Sequence, residues 1–539
     1  MSNIKLNDIS SSKEQLVELT LEKLPRLPYP YDKIEDEPPF KSLSEDEKSK
    51  LEHGLDGVIA ADIPKPKTKQ EEEILVKKFL NGFKKLLSEN DNWTFLQPLL
   101  LSLEYCAKCQ TCSDACPIYV YSGKQEIYRP TFRSEILRRI YRKYIKPGGK
   151  LFSKFTGSDI DLNWQVLARL CESAYRCTLC RRCAQTCPIG IDNGLISHEI
   201  RKLFSQQLGI AAKNIHELGS QLQLKKGSST GQTPQIFLDN VEFMEDDIKE
   251  RTGLSFKWPI DKVGADILLI HNAGEYLAWP ENPEAFAIIF EAAGVNYTLS
   301  SDLVSYDAVN YGLWYDDVQL AKVVLKHIET AKKLGVKKII IGECGHAHKA
   351  ISVVADRILT GDNLIPRESS MTFIADLIKQ GRLKLDPSKN ADINVTLHDP
   401  CNMVRLMGIV KPQRDIIKAV VPPENFREMN PHGVYNYCCG GGSGFAIMSV
   451  HNFPQWRHLI PGRVKMNQIL NVWKDIIDPE HKKYLATPCS NCKGQFREVL
   501  NSYNAFDKCN ILYGGIVELV VNALTDIKSE EPFLEWDWH

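Results

Sequence analysis

The sequence predicts a multidomain protein in which a mainly helical front half precedes a duplicated α/β half. Two observations carry this prediction. Cysteines cluster in two similar runs at 106–117 and 177–188, and from residue 264 short apolar strands alternate with helical segments. A chain of 539 residues is also too long for one ordinary hydrophobic core, so several domains are expected.

The predicted boundaries follow these changes of pattern. A polar, partly helical extension contains one amphipathic helix candidate at 71–89 and carries no chemistry of its own. The segments are the extension at 1–90, a helical domain at 91–225, a linker at 226–263, a first α/β half at 264–390 and a second α/β half with a C-terminal tail at 391–539.

The composition limits the class of protein. Hydrophobic residues make up 43% of the chain and charged residues 25%, which is typical of a soluble globular protein. A net charge of −1 argues against a nucleic-acid partner. The most apolar stretch, 511–524, is too short to span a bilayer, and the N-terminus lacks a secretory signal, so we expect a cytoplasmic protein. Sixteen cysteines in that compartment indicate metal binding.

Both cysteine runs in the front half read C-x2-C-x2-C-x3-C-P, as in two-cluster ferredoxins. In such runs three cysteines bind one 4Fe-4S cubane, and the fourth binds the other cubane. The prediction therefore assigns Cys106, Cys109, Cys112 and Cys187 to cluster 1, and Cys177, Cys180, Cys183 and Cys116 to cluster 2. A zinc site is the alternative, but zinc sites typically use paired C-x2-C units.

Two further features of the front half have open interpretations. Residues 129–154 carry many Lys and Arg and the single acidic residue Glu135. This segment is either a solvated helix face or a docking surface for a partner at an anionic membrane face. Cys171 has no ligand spacing and is interpreted as a core residue.

The back half contains an internal repeat. His271 aligns with His398, the pair Asn310 and Tyr311 with Asn436 and Tyr437, and Cys344 with Cys489. These landmarks occur in the same order in both copies, so we expect two α/β units related by a pseudo-twofold axis.

The second copy alone carries a full cysteine set with the spacing C-x36-CC-x49-C-x2-C. Its members are Cys401, Cys438, Cys439, Cys489 and Cys492. Because several of these follow strands, they are expected to converge at the carboxyl ends of a parallel sheet. Five converging thiols indicate a metal, and the glycines at 440–442 let backbone approach it.

This cysteine pattern resembles the "CCG" domain of heterodisulfide reductases. Together with the two ferredoxin runs, "SLEYCAKCQTCSDACPIY" and the degenerate "GECGHA", it resembles most closely the DsrK/HmeD family of cytoplasmic iron–sulfur subunits of membrane-bound Dsr/Hme complexes. The resemblance implies a third, special 4Fe-4S cluster, of noncubane type, held by Cys401, Cys438, Cys439, Cys489 and Cys492.

The resemblance also implies an activity and partners. Electrons would come from a quinol-oxidising, haem b-containing membrane subunit (DsrM-like) and pass through the clusters to reduce a disulfide or trisulfide, with the small sulfur-carrier protein DsrC as substrate in sulfur metabolism and sulfate reduction. Other complex subunits would attach the protein peripherally to the membrane.

Several alternatives remain open at the level of sequence. Cys344 is either a thiol that contacts substrate or cluster, helped by His346 or His348, or a core relic of a lost motif. His398 either supports the cluster or is a structural histidine. The chain could instead be the iron–sulfur subunit of a lactate-, glycolate- or glycerol-phosphate-type dehydrogenase, or a non-catalytic relay subunit whose CCG half binds zinc.

Overall fold

The computed structural model describes residues 16–40, 44–49, 54–448 and 453–527, and these residues form two compact units. The first unit contains the chain up to His216 together with Trp314–Asp317 and Gly440–Asn467. The second unit contains Glu217–Leu313, Val318–Cys439 and the chain from Gln468 onward. The glycine-rich stretch that begins at Gly440 therefore belongs to the first unit, although Cys439 directly before it belongs to the second.

The first unit is built from helices, as predicted for the front half. They lie at Glu45–Ser49, Lys69–Leu86, Leu96–Glu104, Thr111–Ala115, Pro117–Tyr121, Pro130–Ile140, Gly149–Phe152, Trp164–Ala174, Arg182–Gln185, Asn193–Leu208, Lys213–Ile215 and Phe453–Leu459, with a π-helical turn at Tyr141–Ile145.

The helix Asn193–Leu208 is the centre of this unit. It begins where the Asp192 side chain accepts a hydrogen bond from the Leu195 backbone N–H, and it ends at Gly209, whose φ of +67° closes the helix. Residues Asn193–Phe204 are all buried. The helix packs against Lys69–Leu86, Leu96–Glu104, Pro130–Ile140 and Trp164–Ala174.

The N-terminal extension is joined to this helical core by a buried ion pair. Arg176 donates to both carboxylate oxygens of Asp56 at 2.8 Å, and to Glu172 at 3.1 Å. Glu172 in turn accepts from the backbone N–H of Ala60 and Ala61. Both side chains of the Arg176–Asp56 pair are 0% exposed. The extension at 1–90, as far as the structure describes it, thus includes part of the core of the front unit.

The second unit contains two four-stranded, fully parallel sheets. The first consists of β1 (Ile267–Ile270), β2 (Tyr297–Thr298), β3 (Lys338–Ile341) and β4 (Arg367–Ser369) in the order β2-β1-β3-β4. The second consists of β5 (Asn394–Leu397), β6 (Phe426–Arg427), β7 (Lys483–Ala486) and β8 (Ile511–Gly514) in the order β6-β5-β7-β8. The two sheets thus share strand order and sense, while the duplication and its pseudo-twofold symmetry stay predictions.

Helices precede, separate and follow the strands along the chain of the second unit. They lie at Leu222–Lys226, Pro234–Thr252, Ala273–Ala278, Glu281–Ala292, Asp317–Leu334, Gly345–Ala347, Ser370–Lys379, Cys401–Leu406, Lys411–Val420, Ser490–Ser502, Ala505–Cys509 and Val517–Ala523, with π-helical turns at His216–Gln221 and His348–Val354. The helix Pro461–Val472 belongs to the first unit up to Asn467 and to the second unit from Gln468. Helix Glu281–Ala292 of the first half packs against Val517–Ala523 of the second. One hydrophobic core therefore contains residues of both halves.

The segment predicted as a linker, 226–263, contains the 19-residue helix Pro234–Thr252. Phe237, Val241, Met244 and Ile248 follow one another at helical spacing and are at most 4% exposed in the core of the second unit. Polar residues occupy the positions between these four, so the composition of the segment does not reveal its apolar helix face.

Asp56→Asn should destabilise the first unit. Removing Asp56 from this buried ion pair leaves Arg176 with Glu172 as its remaining buried carboxylate, a loss of about 3 kcal/mol, the lower end of the range for a broken buried pair. Urea unfolding followed by circular dichroism measures the change, and Asp62→Asn, a nearby position outside the pair, is the matched control. Equal midpoints for the two variants would contradict the role of the pair.

Candidate iron–sulfur and thiolate centres

The candidate residues of the second unit lie at the carboxyl ends of central strands. His271 follows β1, Cys344 follows β3, His398 follows β5 and Cys489 follows β7. The carboxyl ends of parallel strands in an α/β sheet form the crevice where ligands bind. The fold therefore carries these side chains to the edge that the sequence predicted.

Four buried thiols form a continuous chain at this edge. The Cys344 thiol hydrogen-bonds with Cys489, Cys489 with Cys492, and Cys492 with Cys439. Each of the four side chains is at most 4% exposed. Sequence alignment placed Cys344 at the position equivalent to Cys489, and the structure brings the two into direct contact.

Hydrogen bonding distributes charge unequally along this chain. Hydrogen bonds from Cys344 and Cys492 hold the pKa of Cys489 well below its usual value, and the backbone N–H groups of Cys492 and Gly345 add to the effect. The pKa of Cys344 is raised by its hydrogen bond to Cys489 and by burial. These hydrogen bonds therefore favour the charged form at Cys489 over the charged form at Cys344. Soft thiolates gathered away from water are the ligands that iron–sulfur clusters use, so the donor set fits such a cluster.

His398 lies beside these thiols. One ring nitrogen of His398, the Cys439 sulfur and the Cys492 sulfur all lie within 4.8 Å of one another. The imidazole packs edge-on against Phe496, with ring centroids 5.0 Å apart. The structure thus places His398 within reach of two predicted ligands, where its ring is held by the helix that follows Cys489.

The other two predicted ligands, Cys401 and Cys438, are placed here by the segments that surround them. Cys401 begins the helix Cys401–Leu406, which packs against the turn Gly345–Ala347 that follows Cys344. A Cβ on Gly345 would lie 3.0 Å from Pro400 Cβ and 3.4 Å from Cys489 Sγ, so a larger residue there would press on both neighbours. Cys438 is 1% exposed and adjoins Cys439, whereas Cys401 is only partly buried.

His346 and His348 bind backbone groups around Cys344. The His348 ring binds the Cys344 carbonyl oxygen at 2.7 Å and Ser369 Oγ at 2.7 Å. His346 binds the backbone of Asn310. The Cys344 sulfur instead accepts from Ala347 N at 3.4 Å and Asn272 Nδ2 at 3.6 Å. These histidines therefore fix the backbone around Cys344.

A buried charged network behind the thiols was not found by sequence reasoning. Asn282 Nδ2 donates to Glu343 at 2.9 Å and to Glu518 at 3.0 Å, and Lys493 Nζ lies 3.5 Å from Glu275. Burial raises the pKa of Glu275 to about 7, although Lys493 opposes the shift. Glu343 directly precedes Cys344, Lys493 directly follows Cys492, and Glu518 interrupts an apolar run. In the sequence, this network is indicated only by charged residues that stand beside predicted ligands or within an apolar run.

The cluster 1 cysteines of the first unit line one open cavity. Cys106, Cys109, Cys112 and Cys187 surround it together with Ile189. Burial raises the pKa of Cys112 to about 11, and the nearby thiols of Cys106, Cys116 and Cys187 add to the shift. Cys109 is exposed, so this cavity opens to solvent.

The cluster 2 cysteines also gather. Burial raises the pKa of Cys183 well above its usual value, with contributions from Asp192, Cys177, Cys180 and Cys116. Burial likewise raises the pKa of Cys116 to about 12. The fourth cysteine of the first run thus lies among the cysteines of the second, which is the pairing that the ferredoxin pattern predicts.

Both runs share an unusual backbone. Lys108 and Gln110 have φ values of 58° and 68°, and the matching Leu179 and Arg181 have 52° and 60°. Non-glycine residues in this region cost about 1–2 kcal/mol each. The two loops therefore share the same strained backbone, and in the first of them three cysteines line one cavity, an arrangement that fits a bound cubane. In contrast, Cys171 and Cys509 are fully buried without such a loop.

The comparisons with known proteins agree with this geometry. Residues 102–191 match the family described as "4Fe-4S dicluster domain", and residues 395–497 match the "Cysteine-rich domain" family, CCG. The former range includes both ferredoxin runs, and the latter includes the whole second cysteine set.

Three curated relatives align over most of the chain. The Hdr-like menaquinol oxidoreductase iron-sulfur subunit 2 of Archaeoglobus fulgidus is 28% identical over 83% of this chain and 83% of its own. The Hdr-like menaquinol oxidoreductase iron-sulfur subunit of Archaeoglobus profundus is 27% identical over 83% and 82%. A subunit of the dihydromethanophenazine:CoB--CoM heterodisulfide reductase of Methanosarcina acetivorans is 26% identical over 66% and 81%. This chain, with ranges that match the 4Fe-4S dicluster and CCG families, is thus similar to the iron–sulfur subunits of Hdr-like menaquinol oxidoreductases and to this heterodisulfide reductase component.

Proposed function

We propose that the chain is the iron–sulfur subunit of an Hdr-like quinol oxidoreductase that reduces an S–S bond at its CCG centre. The observation that carries the proposal is the buried thiol chain Cys344–Cys489–Cys492–Cys439 at the sheet edge, with His398 beside it. A purely structural metal site does not need an additional thiol, Cys344, hydrogen-bonded to one of its ligands.

The proposed ligands are those predicted from the sequence. Clusters 1 and 2 occupy the two ferredoxin sites, and Cys401, Cys438, Cys439, Cys489 and Cys492 hold a third, special 4Fe-4S cluster. When bound, the clusters supply electrons one at a time, whereas cleaving one S–S bond consumes two electrons and two protons. The products are two thiols from a disulfide, or one thiol and one persulfide from a trisulfide. Cys109 is the exposed ligand of cluster 1, which favours cluster 1 as the point where electrons enter.

Burial controls what reaches the CCG centre. Cys344, Cys438, Cys439, Cys489 and Cys492 are at most 4% exposed, and Cys401 is the partly exposed member of the set. A substrate therefore approaches from the Cys401 side and must be narrow. The sulfur of a small thiol or of a flexible protein end satisfies this condition, and a small sulfur-carrier protein in its trisulfide form, DsrC by resemblance, is the substrate we propose.

The partners follow from the same proposal. A DsrM-like haem b subunit would oxidise menaquinol in the membrane, in keeping with the names of two relatives, and other subunits of a DsrMKJOP-type complex would hold this chain at the cytoplasmic face during sulfur metabolism. Among the described residues, no helix has the length and hydrophobicity to cross a bilayer. The duplication of the α/β halves is part of the proposal, supported by their common strand order.

Two other functions give different outcomes in the experiments below. A dehydrogenase subunit would pass electrons to quinone without cleaving S–S bonds. A non-catalytic relay would hold zinc in its CCG half.

Metal analysis of anaerobically purified protein should find roughly twelve irons and twelve sulfides per chain and no zinc, because three 4Fe-4S clusters are proposed. The Cys438→Ser/Cys439→Ser variant should lose about four irons, since it removes two ligands of one cluster. Cys171→Ser, buried in the front unit without ligand spacing, is the control and should keep the full count. Eight irons with one zinc in the parent protein would make the CCG half structural.

Reduced viologen should drive reduction of a protein trisulfide or a small disulfide by the intact protein. The Cys439→Ser variant should lose this activity, because one ligand beside His398 is removed, whereas Cys509→Ser should retain it. The readout is the thiol released per viologen oxidised: a disulfide gives two thiols for two electrons, whereas complete reduction of a trisulfide gives two thiols and one hydrogen sulfide for four electrons. Quinone reduction with no thiol release would favour the dehydrogenase alternative.

Cys344→Ser should lower kcat by about a hundredfold while the iron count stays at its full value. The expected size is that of a lost proton donor or acceptor at a reacting sulfur, since Cys344 hydrogen-bonds Cys489. Iron content, kcat and KM are measured on the same preparation. A loss of iron would make Cys344 a ligand, and unchanged kcat would make it a core residue.

A further inference from the structure

One surface loop of the first unit exposes three large apolar side chains. Leu151 is 76% exposed, Phe152 55% and Phe155 90%. Single exposed apolar residues are ordinary, but several on one short loop mark an interaction surface. We call residues 142–155 the basic–apolar loop.

The charge of this loop has one sign. Arg142, Lys143, Lys146, Lys150 and Lys154 are its charged side chains, and it contains no Asp or Glu. Basic side chains therefore alternate with the exposed aromatic and aliphatic ones. Segments that adsorb to anionic lipid surfaces have this composition, since apolar tips enter the headgroup region and cations meet the phosphates.

The base of the loop is held firmly. Lys143 Nζ binds Asp159 at 2.7 Å and the Ile160 carbonyl at 3.0 Å, and Tyr144 donates to the same carbonyl at 3.1 Å. A Cβ on Gly149 would lie 2.0 Å from the Arg142 carbonyl oxygen, so the turn closes only with glycine there. The apolar tip is thus presented by an ordered base, which lowers the entropic cost of docking.

A cavity at the base of the loop is open to solvent. Arg142, Lys146, Phe152 and Thr156 line it together with Glu104, which is paired with Lys146 at 2.7 Å. A cationic cavity beside an exposed phenylalanine suits a phosphate headgroup whose acyl chains lie next to the ring.

We propose that the basic–apolar loop docks directly on an anionic phospholipid surface. The like charge of the loop and its protruding apolar tip favour a lipid surface over the hydrophobic groove of a protein partner. This contact is separate from the attachment through a membrane subunit proposed above, and it does not depend on the S–S chemistry.

The basic–apolar loop lies near the cluster 1 site, so its docking on a membrane affects that site. Lys146 pairs with Glu104, the last residue of the helix Leu96–Glu104 and two positions before Cys106. Docking of the loop therefore brings the cluster 1 site close to the membrane, where a quinol-oxidising donor acts. The exposed Cys109 belongs to the same site.

Cosedimentation of the full-length holoprotein with vesicles tests the contact. Binding to vesicles of phosphatidylglycerol and phosphatidylcholine in equal parts should exceed binding to phosphatidylcholine alone and should weaken with salt. Leu151→Ser/Phe152→Ser/Phe155→Ser should weaken binding at least about tenfold, because apolar burial is lost. Lys150→Gln/Lys154→Gln should weaken binding to the anionic vesicles alone.

A matched control removes exposed apolar residues elsewhere. Ile236→Ser/Phe243→Ser/Val263→Ser changes three residues that are 43%, 63% and 75% exposed in the second unit, and vesicle binding should remain at the parent value. Unchanged cluster absorbance in every variant shows that the front unit is folded. Equal binding of parent and loop variant would overturn the proposal. So would parent protein that binds only vesicles containing an integral membrane protein, because the loop would then dock on protein.

Discussion

The buried carboxylate of Glu343 fixes the geometry on which the thiol centre depends. It lies between β3 and Cys344, and it accepts hydrogen bonds from Ile516 N at 2.9 Å and from Val517 N at 3.3 Å, both in the second half. The Glu343 carbonyl also accepts from Ser490 N, next to Cys489, at 2.8 Å. A single side chain with its backbone thus ties the strand end that carries Cys344 to the one that carries Cys489.

The buried polar groups beside Glu343 make the connection between the two strand ends specific to one arrangement. Burying a carboxylate is costly unless its oxygens are satisfied, and Asn282 donates to both Glu343 and Glu518. Gly515 leaves the necessary space, since a Cβ there would meet the oxygens of both carboxylates. A slip of one half against the other would break several of these bonds together. The network therefore favours one register between the two halves.

In the front unit, the cysteine loops contain strained backbone and gather several thiols in one place. Residues such as Lys108 and Leu179 hold left-handed conformations that side chains disfavour, a cost that binding of a cluster by the neighbouring cysteines would offset. Arg138, buried and hydrogen-bonded to the Ser102 carbonyl at 3.1 Å, places a positive charge near Cys106. This charge opposes the negative charge of the gathered thiolates. Cluster binding would thus offset the strain of the cysteine loops, and Arg138 in the helix Pro130–Ile140 opposes their negative charge.

The sequence by itself determined the two ferredoxin runs, the CCG cysteine set and the α/β pattern of the back half. Each depends on spacing along the chain, which covalent geometry carries into the fold, and the matches at 102–191 and 395–497 confirm the two domain types. Only the tertiary structure decided that Cys344 meets Cys489, that Glu275, Glu343 and Lys493 are buried behind the thiols, and that Pro234–Thr252 is a core helix within a segment that looked like a linker. Those contacts join residues far apart in the chain, and whether a charged side chain faces water or a partner depends on packing that no local pattern encodes.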